Sequence, residues 1–442
     1  MAARARIRRL RVLESEIIGT VPNILDISGQ AEARPHPQGP AMTLGERVPA
    51  EAMRSIERTL QLSHFKWDTH VGDSSVLSPQ ALLIAEKEWA WLCTKAEHAA
   101  QELFAFEREI ACSPALQRII GVPRKLRDLL STGSGENNMR TLRFDFHPTN
   151  TGWLISEVNS DVPGGFGEAS VLPLLFDAFR GGAVAPVSPL SVWGDVAETE
   201  FRKGHIALLH APGYLEDQQV VLVLSRELRM RGFIPHVIQS PEALRWHNGS
   251  ACLARNREIL INGVIRFFQA EWLAKLPART GWRELFRGGA TRVSNPPESV
   301  ISESKRLPLS FSSLNAASDT WRELFPACRD PHDVAVAERE EWVLKAAYSN
   351  TGDAVHIGAE LSQHAWERLL RAAQKNPFDW VAQRRFETVT LESLQGPVRP
   401  CVGIFVIGKR AAGAYIRLST TQVTDAYALE APMFVLPEGD RA

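Results

Sequence analysis

The 442-residue chain lacks most of the signals that assign a protein quickly. It has no Cys-x-x-Cys pair, and its five cysteines (Cys93, Cys112, Cys252, Cys328 and Cys401) are odd in number. That argues against a disulfide framework or a zinc site and for a reducing compartment, so a cytoplasmic location is expected. The formal net charge is only −1, so no strong field draws the chain to nucleic acid or to an anionic membrane. No apolar run approaches the length of a membrane span. The opening residues, "MAARARIRRLRVLES", are basic but hold no apolar stretch of the kind a secretory leader needs. They are expected to form a basic tail, with an organelle-targeting arm as the alternative. There is no G-x-x-x-x-G-K-[ST], no G-x-G-x-x-G and no H-R-D or D-F-G, which excludes P-loop, dinucleotide-fold and protein-kinase readings. What remains is ordinary globular composition, 44% hydrophobic and 23% charged, over a length that suits two or three domains.

Residues 1–130 read as a mainly helical region. Within it "SPQALLIAEKEWAWLCTKAEHAAQELFAFEREIAC" repeats apolar residues at steps of three and four, and Ser78-Pro79 suits a helix start. Residues 201–290 read as a Rossmann-like α/β domain. "HIALLHAPGYLEDQQVVLVLSRELRMRGFIPHVI" is strand, helix and strand, and "ILINGVIRFF" reads as a strand pair turning at Asn262-Gly263. From residue 291 to 442 a loop, "SNPPESVISESKRL", precedes strands around "EEWVLKAAY", "DWVAQRRF" and "VRPCVGIFVIGKRAAGAYIRLS", with a helix at "SQHAWERLLRAAQKN". The expected class is α/β, with some α+β character.

The stretch that carries chemistry lies in residues 131–200: "RFDFHPTNTGWLISEVNSD". It alternates strictly on both sides of a turn, and residues two apart on a strand share a face. Arg143 and Asp145 therefore point away from Phe144 and Phe146, as Glu157 and Asn159 point away from Val158. Oxygen ligands from Asp145, Glu157 and Asn159 suit a hard cation, Mg²⁺ or Mn²⁺. Arg143 beside them makes sense when an anion bridges metal and guanidinium, as a phosphate does. A solvated hairpin whose charges pair with one another is the alternative for this stretch alone. Lys345, in "WVLKAAYSNTGD", ends an apolar strand before a loop holding Ser349 and Gly352; it suits a phosphate contact, or simply a strand-end lysine reaching for water. Lys305 and Arg417 complete the set. One acidic hairpin, two lysines, a glycine loop and a late arginine amount to an inventory for holding a metal–nucleoside triphosphate.

These motifs, in this order, resemble the circularly permuted ATP-grasp enzymes of the glutathionylspermidine synthase-like group. "RFDF…EVNSD" is similar to that group's R-x-D-F…E-x-N-x-D hairpin, and "SNPPESVISESK" to its N-P-P…K segment. "WVLKAAYSNTGD" is similar to its V-L-K-P-x-x-S-x-x-G loop, "VAQRRF" to its hinge strand, and "FVIGKRAAGAYIRLSTTQVT" to its closing strands. The resemblance implies an ATP-grasp domain split by a Rossmann-like pre-ATP-grasp domain, the metal hairpin preceding the lysines. It implies that Asp145, Glu157 and Asn159 hold Mg²⁺ (or Mn²⁺) on ATP, and that Arg143 faces the transferred phosphoryl group. Lys305, Lys345, Ser349 and Gly352 would contact the phosphates, Gln383 the adenine edge, and Arg417 the reacting carboxylate. The implied activity is a carboxylate–amine ligase working through an acyl phosphate on small molecules, an amino acid or peptide-like carboxylate and an amine. A homodimer is the open alternative to a monomer. Asp145→Asn or Glu157→Gln is then expected to abolish turnover and leave the fold. Leu418 stands where the group commonly has a carboxylate after the arginine, Asn350-Thr351 where a more basic pair is usual, and Val162 and Gly164 where hydroxyls would suit a peptide-like substrate. These departures favour an altered acceptor pocket. They leave two rivals, an ATP-binding regulatory protein that no longer catalyses and a phosphotransferase on the same fold.

Overall fold

Alternating and helical apolar patterns resolve into several small sheets stacked on helices in the computed structural model, which describes residues 41–130, 139–287, 289–349 and 354–438. The basic opening segment, the Asn350-Thr351 pair and Gly352 lie outside the described residues.

Strand β1 (Met42–Leu44) and helix α1 (Ala50–Ser63) lead to β2 (Leu82–Ala85) and the long helix α2 (Glu86–Ala111). The helix thus begins eight residues after Ser78, not at it. Leu82 and Ile84 alternate inward and pair with β1, while Ser78 Oγ bonds to Gln80 in a turn. Apolar residues at 82, 85, 89 and 92 fit a helical spacing, but the first two belong to a strand. Along α2, Leu92, Ala96, Ala99, Leu103, Phe106 and Ile110 form a buried stripe.

The hairpin consists of β3 (Thr141–Thr149) and β4 (Gly152–Asn159). Arg143 sits opposite Asn159, Phe144 opposite Val158 and Asp145 opposite Glu157. Phe144 and Phe146 point into the core, where Phe144 meets Trp321 and Trp321 meets Phe106 of α2. Ser156 has no partner on β3, because the register steps from Glu157 to Ile155 there. That is a β-bulge, a device that frees a backbone carbonyl and re-aims its neighbours. Asp161 lies past the end of β4 and off the cleft-facing ribbon. Helix α3 (Phe166–Leu175) follows.

The next region holds β5 (His205–His210), α4 (Leu215–Met230) and β6 (Ile234–Ile238). After β7 (Asn256–Ile261) come β8 (Gly263–Phe267) and β9 (Arg292–Ser294). β9, β8, β5 and β6 form an open parallel sheet in that order, which extends past residue 290. "ILINGVIRFF" is not a hairpin: β7 pairs with Ser250–Leu253 in a separate antiparallel sheet, while β8 joins the parallel one. Asn262 is the joint, its N–H bonded to His205 O rather than closing a turn.

The sequence reads "SNPPESVISESKRL", residues 294–307, as a loop, yet its "SVISE" forms helix α5 (Ser299–Glu303). Beyond it lie β10 (Trp342–Ala346), β11 (Val355–Ile357), α6 (Gln363–Lys375) and β12 (Trp380–Arg384). Ser362 caps α6 by accepting from Ala365 N, and Trp366, Leu370 and Ala373 bury one face against Trp342, Leu344 and Ala382. The chain then runs through β13 (Gly396–Ile407), β14 (Arg410–Ser419), β15 (Leu429–Ala431) and β16 (Met433–Leu436). β16 lies parallel to β2. The central antiparallel sheet runs β15–β14–β13–β3–β4, so the hairpin pairs with a strand more than 250 residues later in the chain.

Candidate functional site

The polar face of the hairpin forms one wall of a cleft of about 340 Å³. Strand alternation puts Arg143 and Asp145 of β3 and Glu157 and Asn159 of β4 there, and the pairing of β13 with both β3 and β14 brings Arg417 alongside. Asp145 is the hub. Its Oδ1 accepts from Arg143 Nε (2.8 Å), and its Oδ2 from Arg143 Nη2 (3.0 Å), Arg417 Nη2 (2.6 Å) and Asn159 Nδ2 (3.1 Å). Gly403 lies beneath this knot. A Cβ there would sit 2.8 Å from Arg143 Cδ and 3.0 Å from Asp145 Oδ1, so only glycine leaves room for the pair. Burial works to raise the Asp145 carboxyl, but the guanidiniums of Arg143 and Arg417 outweigh it and hold the group well below the usual carboxylate range.

Glu157 is less tightly held. Its Oε2 lies 3.4 Å from Lys305 Nζ, which also donates to Ser349 O (2.9 Å). Burial works to raise this carboxyl, but Lys305, with Lys345 and Arg417, outweighs it and holds the group below its ordinary value, so Glu157 too stays ionised at neutral pH. Lys345 is not a lysine reaching for water. Its Nζ is buried and donates to Ser156 O (3.3 Å), as does Gln383 Nε2 (3.1 Å). The carbonyl freed by the bulge therefore gathers the two residues from β10 and β12. Burial lowers the Lys345 ammonium below its ordinary value despite Glu157 nearby.

Arg143, Asp145, Glu157, Asn159, Lys305, Lys345, Ser349, Gln383 and Arg417 thus all line one cleft. Among these nine, four cationic side chains face two carboxylates, a local excess of positive charge that suits a polyanion. Arg417 Nε is buried without an acceptor among the described residues, a donor waiting for an anionic group. No cluster of three His, Cys, Asp or Glu side chains able to cage a metal occurs among the described residues. An ion held by Glu157, Asp145 and Asn159 would need its remaining ligands from phosphate and water, which is how Mg²⁺ is usually bound beside nucleotides. On donor chemistry and charge, the residues fit such an ion.

Several cleft residues escape a motif-based reading. Tyr415, two residues before Arg417 and on the same strand face, has both Arg143 and Arg417 5.4 Å from its ring centroid. Its alternation with Arg417 is the signal that could have found it. His147 continues the Arg143–Asp145 face, bonds Ser156 Oγ (2.9 Å) and meets the Phe386 ring at a tilt; burial holds it neutral, with a pKa down to about 4. Val343, Ile357 and Phe386 give this end of the cleft an apolar lining. Lys66, Glu168 and Glu430 have no motif at all. The missing carboxylate at 418 also takes on a different meaning. Leu418 faces the core, because successive residues on β14 alternate, and a carboxylate there would point away from the cleft. Glu430, opposite Arg417 in the register of β14 with β15, puts a carboxylate on the cleft face instead.

Asp217, in the first turn of α4, also lines the cleft, with Gln269 Nε2 at 3.3 Å. Burial pushes its carboxyl from 3.8 up to about 8. A group that keeps its proton longer in the folded state than in the unfolded one makes stability fall as pH rises between those two values. Asp217→Asn should therefore be more stable than wild type by a margin that grows from about pH 4 to about pH 8 and then levels off. Urea midpoints across that range measure it, and a margin independent of pH would contradict the assignment.

A solved structure from Methylobacillus flagellatus KT, provisionally named a gamma-glutamylcysteine synthetase, is similar at 12% identity with a TM-score of 0.39, over 76% of this chain and 85% of that one. That similarity is too slight to inform the site. No curated protein sequence matches the chain. Residues 47–436 match the family described as glutathionylspermidine synthase preATP-grasp, and the chain belongs to this ATP-grasp family of ligase-type enzymes.

Proposed function

We propose that the chain is an ATP-dependent carboxylate–amine ligase that forms an amide through an acyl phosphate. The observation that carries this reading is the charge arrangement of the cleft, two ionised carboxylates and an amide at the centre of four cations. In this reading residues 131–200 and 291–442 form one ATP-grasp unit, interrupted by the Rossmann-like segment 201–290. Lys345 and Lys305 neutralise phosphate oxygens, and Gln383 faces the base at the apolar end. Glu157, Asp145 and Asn159 would hold magnesium, which when bound supplies charge neutralisation on the phosphate oxygens and orients them.

A substrate carboxylate oxygen attacks the γ-phosphorus and ADP leaves. The amine nitrogen then attacks the acyl carbon, the C–O bond to phosphate breaks, and inorganic phosphate departs with the amide proton released. Arg143 and Arg417 stabilise the charge that gathers on the transferred group, and such preorganised electrostatics is usually the largest catalytic contribution. No covalent enzyme nucleophile is required. Cys401, the cysteine nearest Arg417, is buried, and its thiol is held protonated by burial.

The direct test is ADP release with a panel of amino acids and amines, followed with a carboxylate labelled by oxygen-18. Label appearing in phosphate supports the acyl-phosphate route; phosphate without label refutes it. Lys345→Met should weaken ATP binding about 10- to 100-fold, the amount expected for losing one hydrogen bond to a charged group. Isothermal titration measures this, and unchanged affinity would remove Lys345 from the phosphate site.

A further inference from the structure

Beyond the Tyr415 ring from the Arg143–Arg417 pair, the cleft holds a second set of charges that the proposed transfer does not use. Tyr415 donates its hydroxyl proton to Glu430 Oε1 (2.7 Å), and Gly165 (φ +77°) lets the start of α3 lie on the ring, since a Cβ there would come within 2.3 Å of it. Lys66 projects into this end of the cleft. Its Nζ lies 3.0 Å from Asp68, 2.7 Å from Glu168 and 2.9 Å from Glu430, and its side chain is only 8% exposed. An ammonium has three N–H donors, and here three carboxylates lie within ion-pair distance of it, Glu430 Oε1 accepting a hydrogen bond while Asp68 Oδ1 takes none. Three carboxylates already outweigh its single charge, so Lys66 is not built as a phosphate or carboxylate clamp.

The loop that delivers it is anchored. Lys66 N–H bonds Leu60 O at the end of α1, Trp67 N–H bonds Gln219 Oε1 of α4, and Arg226 lies 5.7 Å from the Phe65 ring while its Nη1 donates to Ser63 O. A buried cation among three carboxylates costs desolvation, and removing it would leave those carboxylates uncompensated. Three carboxylates around a point at hydrogen-bond distance are the surroundings a free alkylammonium would need, and the point lies one tyrosine ring from the proposed transfer centre. Glu430 Oε2 is also buried with no partner, so the pocket is not saturated with donors even with the lysine in place.

We infer that Lys66 determines specificity by filling an alkylammonium-binding site at the acceptor end of the cleft, so that acceptor amines bearing a second cationic group are refused while the lysine is present. The word "acceptor" rests on the ligase reading; the occupied ammonium site does not.

The test is titration calorimetry of the full chain with 1,4-diaminobutane, in the presence of ADP and Mg²⁺. Lys66→Met should bind the diamine at least about tenfold more tightly than wild type, Lys66→Arg should resemble wild type, and adding Glu168→Gln to Lys66→Met should abolish most of the gain. Wild type binding the diamine as tightly as Lys66→Met overturns the inference. So does a folded Lys66→Met protein with no gain. Should Lys66→Met fail to fold, Lys66→Ala, which leaves room for water beside the three carboxylates, takes its place with the same expectations. Loss of ADP binding in every form, with the diamine gain intact, would instead count against the ligase reading alone.

Discussion

Glu157→Gln is expected to eliminate the gain in ATP affinity that magnesium confers, and to slow ADP release by about a hundredfold or more once a substrate pair is found. Glu157 is the more accessible of the ribbon's two carboxylates, with a side chain 26% exposed against 1% for Asp145 and a 3.4 Å contact to Lys305 as its ion pair. Lys305 keeps its bond to Ser349 O in the variant. Little folding energy therefore goes with the charge, since partly exposed ion pairs contribute under about 1 kcal/mol. The melting temperature should move by only a few degrees. Titration of ATP with and without Mg²⁺ reads the first effect, and an undiminished magnesium effect in the variant would remove Glu157 as a ligand. Asp145→Asn is a poorer probe than the sequence suggests. It neutralises the partner shared by the buried Arg143 and the partly buried Arg417, so it should lower stability along with activity.

The second large effect falls outside the cleft. Asp161→Ala should destabilise the fold by roughly 3–5 kcal/mol, the cost of leaving a buried charge unpaired. Asp161 accepts from Arg266 Nη1 (3.0 Å) and Ala270 N (2.7 Å) and is also bound by Arg266 Nη2 and Ser299. Neither side chain of the Asp161–Arg266 pair is more than 1% exposed. The pair fastens the end of the hairpin to β8 of the parallel sheet and to α5. Replacing both partners, Asp161→Ala with Arg266→Met, should recover much of the loss, because the stranded guanidinium is then gone. Burial raises the Asp161 carboxyl, but Arg266 and the hydrogen bonds prevail and hold it below its ordinary 3.8. The stabilisation is therefore complete above that pH and lost as pH falls through the lower folded value. Urea midpoints at neutral pH and in acid test both statements. A neutral-pH loss under about 1 kcal/mol for the single variant would refute the role of the pair.

The ribbon is legible in the sequence because period-two alternation needs no tertiary information: Arg143 and Asp145 share a face whatever lies around them. The lysines are harder to read. Lys345 looks like any strand-end lysine until β4 supplies the bulged carbonyl of Ser156, a contact 189 residues distant along the chain. The β2 strand is misread as helix because nothing local records that β16 will lie beside it. The Asn262-Gly263 step has turn chemistry, yet two different sheets claim its flanks. Leu418 reads as a lost carboxylate only in a one-dimensional comparison; strand geometry turns it inward and lets Glu430, twelve residues on, stand by Arg417. Residues such as Lys66 and Glu430 are invisible beforehand, because their pairing closes a loop of 364 residues.

That long closure bears on biogenesis. Until β13 and β14 emerge from the ribosome, β3 has an open edge, and its charged face lacks the arginine that shares Asp145. An unpaired strand edge is a template for wrong partners. Nascent chains halted before residue 396 should therefore be the aggregation-prone species, and the polar face of the ribbon should be complete only once β14 has been made.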